Sequence, residues 1–180
     1  LVIDITREIY SGMEVFEGDP EVSVKEVKTV DRDGYSLREI RLSTHAGTHM
    51  DAPSHFHADG STMSDLDLSR LMGHAYVTGS FRDEFPDGTR ILLSRSGDLD
   101  LVRAVELLKL GIDVFGSEEN SLEPEGNSEY DVHRVLLGAE AVMIENLDLS
   151  KAPDGTYGFV ALPLRIKDGD GAPLRAVLLT

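Results

Sequence analysis

Four of the six histidines in this 180-residue chain fall close together, at His45, His49, His55 and His57. Imidazole is the commonest side-chain ligand for transition metals, and it also carries protons near neutral pH. Spacing matters more than count. His45, Gly47, His49 and Asp51 are each two residues apart, so an extended chain would turn all four positions to one face. Gly47 adds no side chain there, which leaves room for an ion between the two rings. His45 and His49 are also spaced as on one face of a helix, but Gly47, Thr48 and Pro53 oppose a helix here. Two imidazoles and a carboxylate form a sound ligand set for Zn2+ or Mn2+, with room for water. His55, two residues beyond Pro53, is either a further ligand or a general acid or base. A lone histidine more often packs or faces solvent, and His57 and His74 fit that description.

Two later positions add to the cluster. His133 stands at the start of a predicted helix. Glu145 follows the apolar run 141–144 and precedes Asn146. A carboxylate at the end of a buried strand is costly unless it is paired or bound to a cation.

The elements that must position these residues are short. Residues 1–6 are apolar and β-branched, as in a buried strand. Residues 21–30 and 35–46 alternate in polarity, with Asp31-Arg32-Asp33-Gly34 as the loop between them. In the second of these runs Glu39, Arg41, Ser43 and His45 share a face. Gly18-Asp19-Pro20 marks a turn. Residues 64–72 predict a short helical stretch ending at Gly73, and 99–110 a helix stopping at Gly111. Residues 132–139 predict another helix, with Asn127 or Ser128 near its start. Strands are expected at 75–81, 90–94, 112–115, 141–144, 159–164, 166–167 and 175–179. Some strands form hairpins and others flank helices, which argues for a mixed α/β domain rather than a doubly wound sheet.

Composition bounds the function. With 41% apolar residues, the chain can build a core and is not a disordered one. A formal net charge of −16 repels nucleic acid and anionic membrane surfaces, so neither is expected as a partner. The absence of cysteine removes disulfides, thiolate nucleophiles and Cys-ligated zinc. No apolar run is long enough to cross a membrane and there is no signal-peptide pattern, so a cytoplasmic protein is the expectation. No Gly-x-Ser-x-Gly elbow is present.

The stretch His45-Ala46-Gly47-Thr48-His49-Met50-Asp51-Ala52-Pro53-Ser54-His55-Phe56 resembles the signature of the cyclase family, which includes bacterial kynurenine formamidases (arylformamidases) and isatin hydrolases. The resemblance extends over residues 2–6, Gly18-Asp19-Pro20, residues 133–149, Ala161-Leu162-Pro163-Leu164 and Gly171-Ala172-Pro173-Leu174-Arg175-Ala176. It implies one swivelling β/β/α domain with a mixed sheet over residues 1–180. It implies that His45, His49 and Asp51 hold one ion, and that Asp51 bridges to a second ion held with His133 and Glu145. His55 matches the catalytic histidine of the family, and the loop carrying Phe16 and Asp19 matches its substrate side. In that loop this chain reads Phe16-Glu17-Gly18-Asp19, where kynurenine formamidases carry Trp-Pro-Gly-Asp, and the chain has no tryptophan. The activity implied is hydrolysis of a small amide, formamide or lactam by activated water, using one or two Zn2+ or Mn2+ ions per subunit, in a homodimer or larger homo-oligomer. A non-catalytic metal-binding domain and a metal-dependent lyase or dehydratase are the competing expectations.

Overall fold

The computed structural model describes residues 1–124 and 126–180. Among the described residues, ten strands and three α-helices follow one another along the chain. They run β1 (Val2–Asp4), β2 (Ser23–Lys28), α1 (Val30–Asp33), β3 (Leu37–Arg41), β4 (His49–Asp51), β5 (Met72–Thr78), β6 (Ile91–Ser94), α2 (Leu101–Lys109), β7 (Val114–Ser117), α3 (Asp131–Gly138), β8 (Val142–Glu145), β9 (Gly155–Pro163) and β10 (Gly171–Leu179). Strands β2 and β3 form a separate hairpin. The other eight share one mixed sheet in the order β1-β10-β4-β8-β7-β6-β5-β9. Because β9 also pairs with β10, the sheet closes on itself. Strands β5 to β8 are parallel to their neighbours in that run, and α2 and α3 form the crossovers between β6, β7 and β8. Among the described residues, no helix is long and apolar enough to cross a membrane.

The period of two along these strands sorts side chains between two cores. Ile91, Leu93, Val114, Val142 and Ile144 point into the closed sheet with Met50, Phe159 and Ala176. Their neighbours Leu92, Phe115 and Met143 point outward, under Ala104 and Leu107 of α2 and Val132, Leu136 and Leu137 of α3. Strands buried on both faces read as continuous apolar runs, as 141–144 does. The packing is close enough that a methyl group on Gly116 would lie 2.5 Å from Leu93 Cδ2 and 2.8 Å from Leu147 Cδ1.

Several sequence expectations are corrected. The strand expected over 35–46 ends at Arg41, and all of β3 is exposed, because the hairpin pairs only with itself. Its loop is a helical turn, Val30–Asp33, stopped by Gly34 at φ 81°. β1 is an edge strand with Val2 exposed rather than a buried one, since only β10 flanks it. The helical stretch at 64–72 shrinks to a 3-10 turn, Leu68–Leu71, and Met72 already belongs to β5. Residues 166–167 form the turn between β9 and β10 rather than a strand. Helix α3 is entered through Tyr130 at φ 54°, with no side-chain cap from Asn127 or Ser128.

Helix α2 is bounded as its sequence requires. The Asp100 carboxylate accepts the Arg103 N–H at 2.8 Å, satisfying one of the free donors of the first turn. That bond, together with the Arg82 guanidinium, holds the Asp100 carboxyl below its usual range. Asp100→Ala should therefore lower stability by about 1 kcal/mol, measured by urea denaturation at neutral pH. A depressed carboxyl contributes above its unfolded pKa of about 4 and stops contributing as the pH falls through its lower folded value. The difference between variant and wild type should thus close in acid. A difference that persisted unchanged at low pH would show that the carboxylate is not the source.

Candidate metal centre

Strand β4 is only three residues long, yet both its neighbours fix its register. His49, Met50 and Asp51 stand opposite Glu145, Ile144 and Met143 of β8, and opposite Pro173, Ala172 and Gly171 of β10. Met50 and Ile144 point into the closed sheet. The alternation therefore sends His49, Asp51 and Glu145 to the other face, beside Met143 and beneath α3. All three are buried. On α3, His133 shares the inward face of Leu136 and Leu137 one turn away, so it comes down onto the same spot.

The distances among these groups are informative. His49 Nε2 lies 3.4 Å from Asp51 Oδ1 and 3.4 Å from Glu145 Oε2, and His133 Nε2 lies 3.3 Å from Glu145 Oε1 and 3.8 Å from Asp51 Oδ2. These separations are longer than well-formed hydrogen bonds. They are the spacing expected between neighbouring ligand atoms on a shared ion, since Zn–N and Zn–O bonds of about 2.0–2.1 Å place tetrahedral ligands roughly 3.3–3.4 Å apart. The far nitrogen of each ring is already held. His49 Nδ1 donates to the Gly47 carbonyl at 2.9 Å, and His133 Nδ1 donates to Glu123 Oε2 at 2.9 Å. Each Nε2 is thereby turned toward the carboxylates, which is how ligating histidines are oriented. Glu123 also accepts the His133 N–H, and Glu145 accepts the Leu122 N–H at 2.7 Å.

His45 reaches the cluster by a different route from the one its spacing suggests. Residues 45–51 do not form one stretched segment. The chain turns at Thr44 and His45 and takes φ 66° at Gly47, a left-handed conformation that glycine adopts freely. The turn folds the ring back, so His45 Nδ1 lies 2.8 Å from Asp51 Oδ1, while Nε2 lies 3.1 Å from Asp170 Oδ2. His55 ends a 3-10 turn, Pro53–His55, and its ring sits 4.1 Å from that of His45. Two donor groups result: His49, Asp51 and Glu145, and His45, Asp51 and His55. In each, the donor atoms lie within 4.8 Å of one another. Asp51 belongs to both.

Electrostatics follow from placing two carboxylates together out of water. Burial opposes charge on His49, yet its contacts with Asp51 and Glu145 prevail and raise its pKa to about 10. His133 is likewise opposed by burial and raised to about 9 by Glu145 and Asp51. Burial also opposes charge on His45, but Asp51 raises it. Asp51 and Glu145 are destabilised as anions by burial, but the surrounding imidazoles hold both below the usual carboxylate range. His55 goes the other way: burial outweighs the pull of Asp51 and lowers it. The protein alone thus gathers positive charge around Asp51, the demand that a divalent cation meets when it displaces protons.

This cluster floors a cavity of about 230 Å³. Phe16, Phe56 and Tyr130 line it with aromatic surface, Phe56 and Tyr130 packing with ring centroids 5.5 Å apart, and Asp19, Asn120 and Ser121 add polar groups. Phe56 also packs on His133, with ring centroids 5.1 Å apart. Asp19 is held by the Ser43 hydroxyl at 2.9 Å. All the residues singled out in sequence for metal, proton or substrate roles therefore border one cavity. His57 lies apart and contacts the Arg134 carbonyl, and His74 is exposed on β5. Sequence reasoning missed Asp170, Glu123 and Tyr130. Nothing local marks any of the three.

Known proteins resemble this chain over nearly its whole length. A family model described as "Putative cyclase" matches residues 3–95. A kynurenine formamidase of Salinibacter ruber is 33% identical over 204 residues, covering 98% of this chain and 96% of that protein. The solved structure of a potential metal-dependent hydrolase with cyclase activity superposes with a TM-score of 0.81 at 25% identity, covering 99% of this chain and 96% of its own. An isatin hydrolase bound to the product analogue thioisatinate shares the fold, with a TM-score of 0.84 at 22% identity over 99% of this chain and 92% of its own.

The closeness of β10 to the cluster is testable. A Cβ on Gly171 would lie 2.6 Å from His45 Cε1 and 3.0 Å from the Met50 carbonyl. Gly171→Ala should force the His45 ring off Asp51 and lower stability by about 1–3 kcal/mol, measured by chemical denaturation and a crystal structure. A variant of wild-type stability with His45 unmoved would contradict the packing described.

Proposed function

The chain belongs to the cyclase family, and from that premise we propose that it is a metal-dependent hydrolase that cleaves the C–N bond of a small amide, formamide or lactam. The observation that carries this reading is the joint burial of Asp51 and Glu145 beneath imidazoles whose remote nitrogens are already occupied. His45, His49 and Asp51 would hold one Zn2+ or Mn2+ ion, and Asp51, His133 and Glu145 a second. An all-nitrogen-and-oxygen donor set suits either metal. A divalent cation held there would supply water with a pKa lowered to roughly 7 and polarisation of a carbonyl.

The chain's own residues supply the rest. His55 is partly exposed, faces the cavity beside His45, and is kept neutral by burial, so it has a free nitrogen for a proton. It takes a proton from the attacking water and delivers it to the leaving nitrogen. Phe16, Phe56 and Tyr130 offer flat apolar surface to an aromatic or cyclic substrate, and Asp19 and Asn120 offer polar contacts. With Phe16 in place of tryptophan, the lining accommodates a planar group with less ring surface than an indole would provide. The proposed substrate is thus a small planar amide rather than a peptide.

Treatment with a chelator should abolish hydrolysis of a panel of formanilides, lactams and cyclic imides, and added Zn2+ or Mn2+ should restore it. Turnover indifferent to chelation would rule the mechanism out. His55→Ala should keep its metal content but lose about 10²–10⁴-fold in kcat. Full activity in that variant, measured with the metal content by elemental analysis, would remove His55 from the proton path. Zinc should also raise the unfolding midpoint, contributing about 2.7 kcal/mol at a hundredfold excess over its dissociation constant. That increment should vanish in Asp51→Ala, and its survival there would place the ion elsewhere.

A further inference from the structure

His45 is within hydrogen-bond distance of a carboxylate at each of its ring nitrogens. Nδ1 faces Asp51 Oδ1 at 2.8 Å, and Nε2 faces Asp170 Oδ2 at 3.1 Å. The two carboxylates differ in setting. Asp51 is buried and stands in both donor groups. Asp170 is half-exposed in the turn before β10, and its other oxygen accepts the Thr44 hydroxyl at 3.0 Å. That bond aims Oδ2 at the ring. The same oxygen is 3.5 Å from His55 Nδ1, too far for a strong bond, so its hold is on His45. The adjacent Gly171 leaves space that only a residue without a Cβ could give to this ring.

Resting on the ligand set proposed above, we propose that Asp170 is a positioning residue of the site: by accepting a hydrogen bond from His45 Nε2, it leaves Nδ1 as the nitrogen that His45 presents to a cation shared with Asp51. His45 and His49 would then ligate through opposite nitrogens, because the Gly47 carbonyl holds His49 Nδ1 and leaves its Nε2 free. The pattern follows from the backbone. His49 lies in a strand and meets a carbonyl two residues back, whereas His45 lies in a turn and meets a side chain from the far end of the sequence. A carboxylate behind a ligating imidazole fixes the ring and strengthens it as a ligand, and loss of such a partner typically weakens metal binding 10- to 100-fold.

The test uses the whole chain and zinc itself. In the zinc-loaded wild-type protein, long-range proton–nitrogen NMR should show His45 protonated at Nε2 and His49 protonated at Nδ1. Zinc titration against a competing chelator should show affinity falling 10- to 100-fold in Asp170→Ala and by less in Asp170→Asn, whose amide oxygen still accepts a bond. The Asp170 carbonyl accepts the Ala52 N–H at 2.8 Å, a backbone bond that both variants retain, so the metal-free proteins should unfold at the wild-type urea midpoint. A purely structural role for Asp170 would shift that midpoint and leave zinc affinity intact. His45 protonated at Nδ1 in the loaded protein would overturn the inference, and this reading needs no variant. Zinc affinity unchanged in Asp170→Ala but lost in His45→Ala would also overturn it while leaving the ligand set standing. Affinity unchanged in His45→Ala would instead remove the ligand set, and this inference with it.

Discussion

Two carboxylates, Asp51 and Glu145, lie side by side on neighbouring strands, out of reach of bulk water. Isolated anions in such a place cost several kcal/mol each, and two together repel. Much of the local structure answers that cost. Imidazoles close over them from a turn, from β4 and from α3, and the Leu122 N–H donates to Glu145. Glu123 in turn steadies His133 and accepts the free N–H groups of Val132 and His133 at the start of α3, where a negative charge is favoured. An apolar pair at positions 51 and 145 would satisfy the sheet with none of this apparatus, so the arrangement answers to something other than stability.

The sheet makes the juxtaposition possible. A three-residue strand has little stability of its own, and β4 is held because it lies between β8 and β10. Met50 anchors it by filling the closed interior against Ile144. Once Met50 points in, its two neighbours must point out. A slip of one residue would turn His49 and Asp51 into the apolar interior of the closed sheet and Met50 toward α3, so the packing of one methionine fixes the register of both polar side chains. Closure through β9 and β10 also carries Asp170, 125 residues away in sequence, to within reach of His45.

How much of this was legible depended on the range of the interaction that decides each position. The period of two gave His49 and Asp51 a common face, and the cost of a strand-end carboxylate drew attention to Glu145. Both inferences rest on local geometry that the sheet preserves. His45 was placed by the same rule, but a turn and Gly47 deliver it. It reaches Asp51 because the chain folds back, so the local rule gave the right neighbour through the wrong backbone. The parallel strands and α2 were legible from apolar runs, helical periodicity and the stop at Gly111, within a few residues at each end. Asp170 was not, because its partner His45 lies 125 residues away, and Glu123 and Tyr130 were not, because a loop without a regular period brings them to His133. The exposed β2–β3 hairpin alternates without a buried face, so its period predicted strands correctly but not where they would end.

The proposed ligands come from four separate parts of the chain: the turn at His45, strand β4, helix α3 and strand β8. A cation shared among them would tie the shortest strand of the sheet to the helix above it. Such a site cannot exist in the unfolded chain, so binding free energy there adds to folding free energy. It would act where the fold is locally thinnest, at a three-residue strand with polar residues on its outer face. Asp51, common to both donor groups, is the point at which catalysis and local order would coincide. A substitution there should be felt by the strand as well as by the chemistry, whereas His55, on a 3-10 turn at the edge of the cavity, is free to serve the reaction without bearing on the sheet.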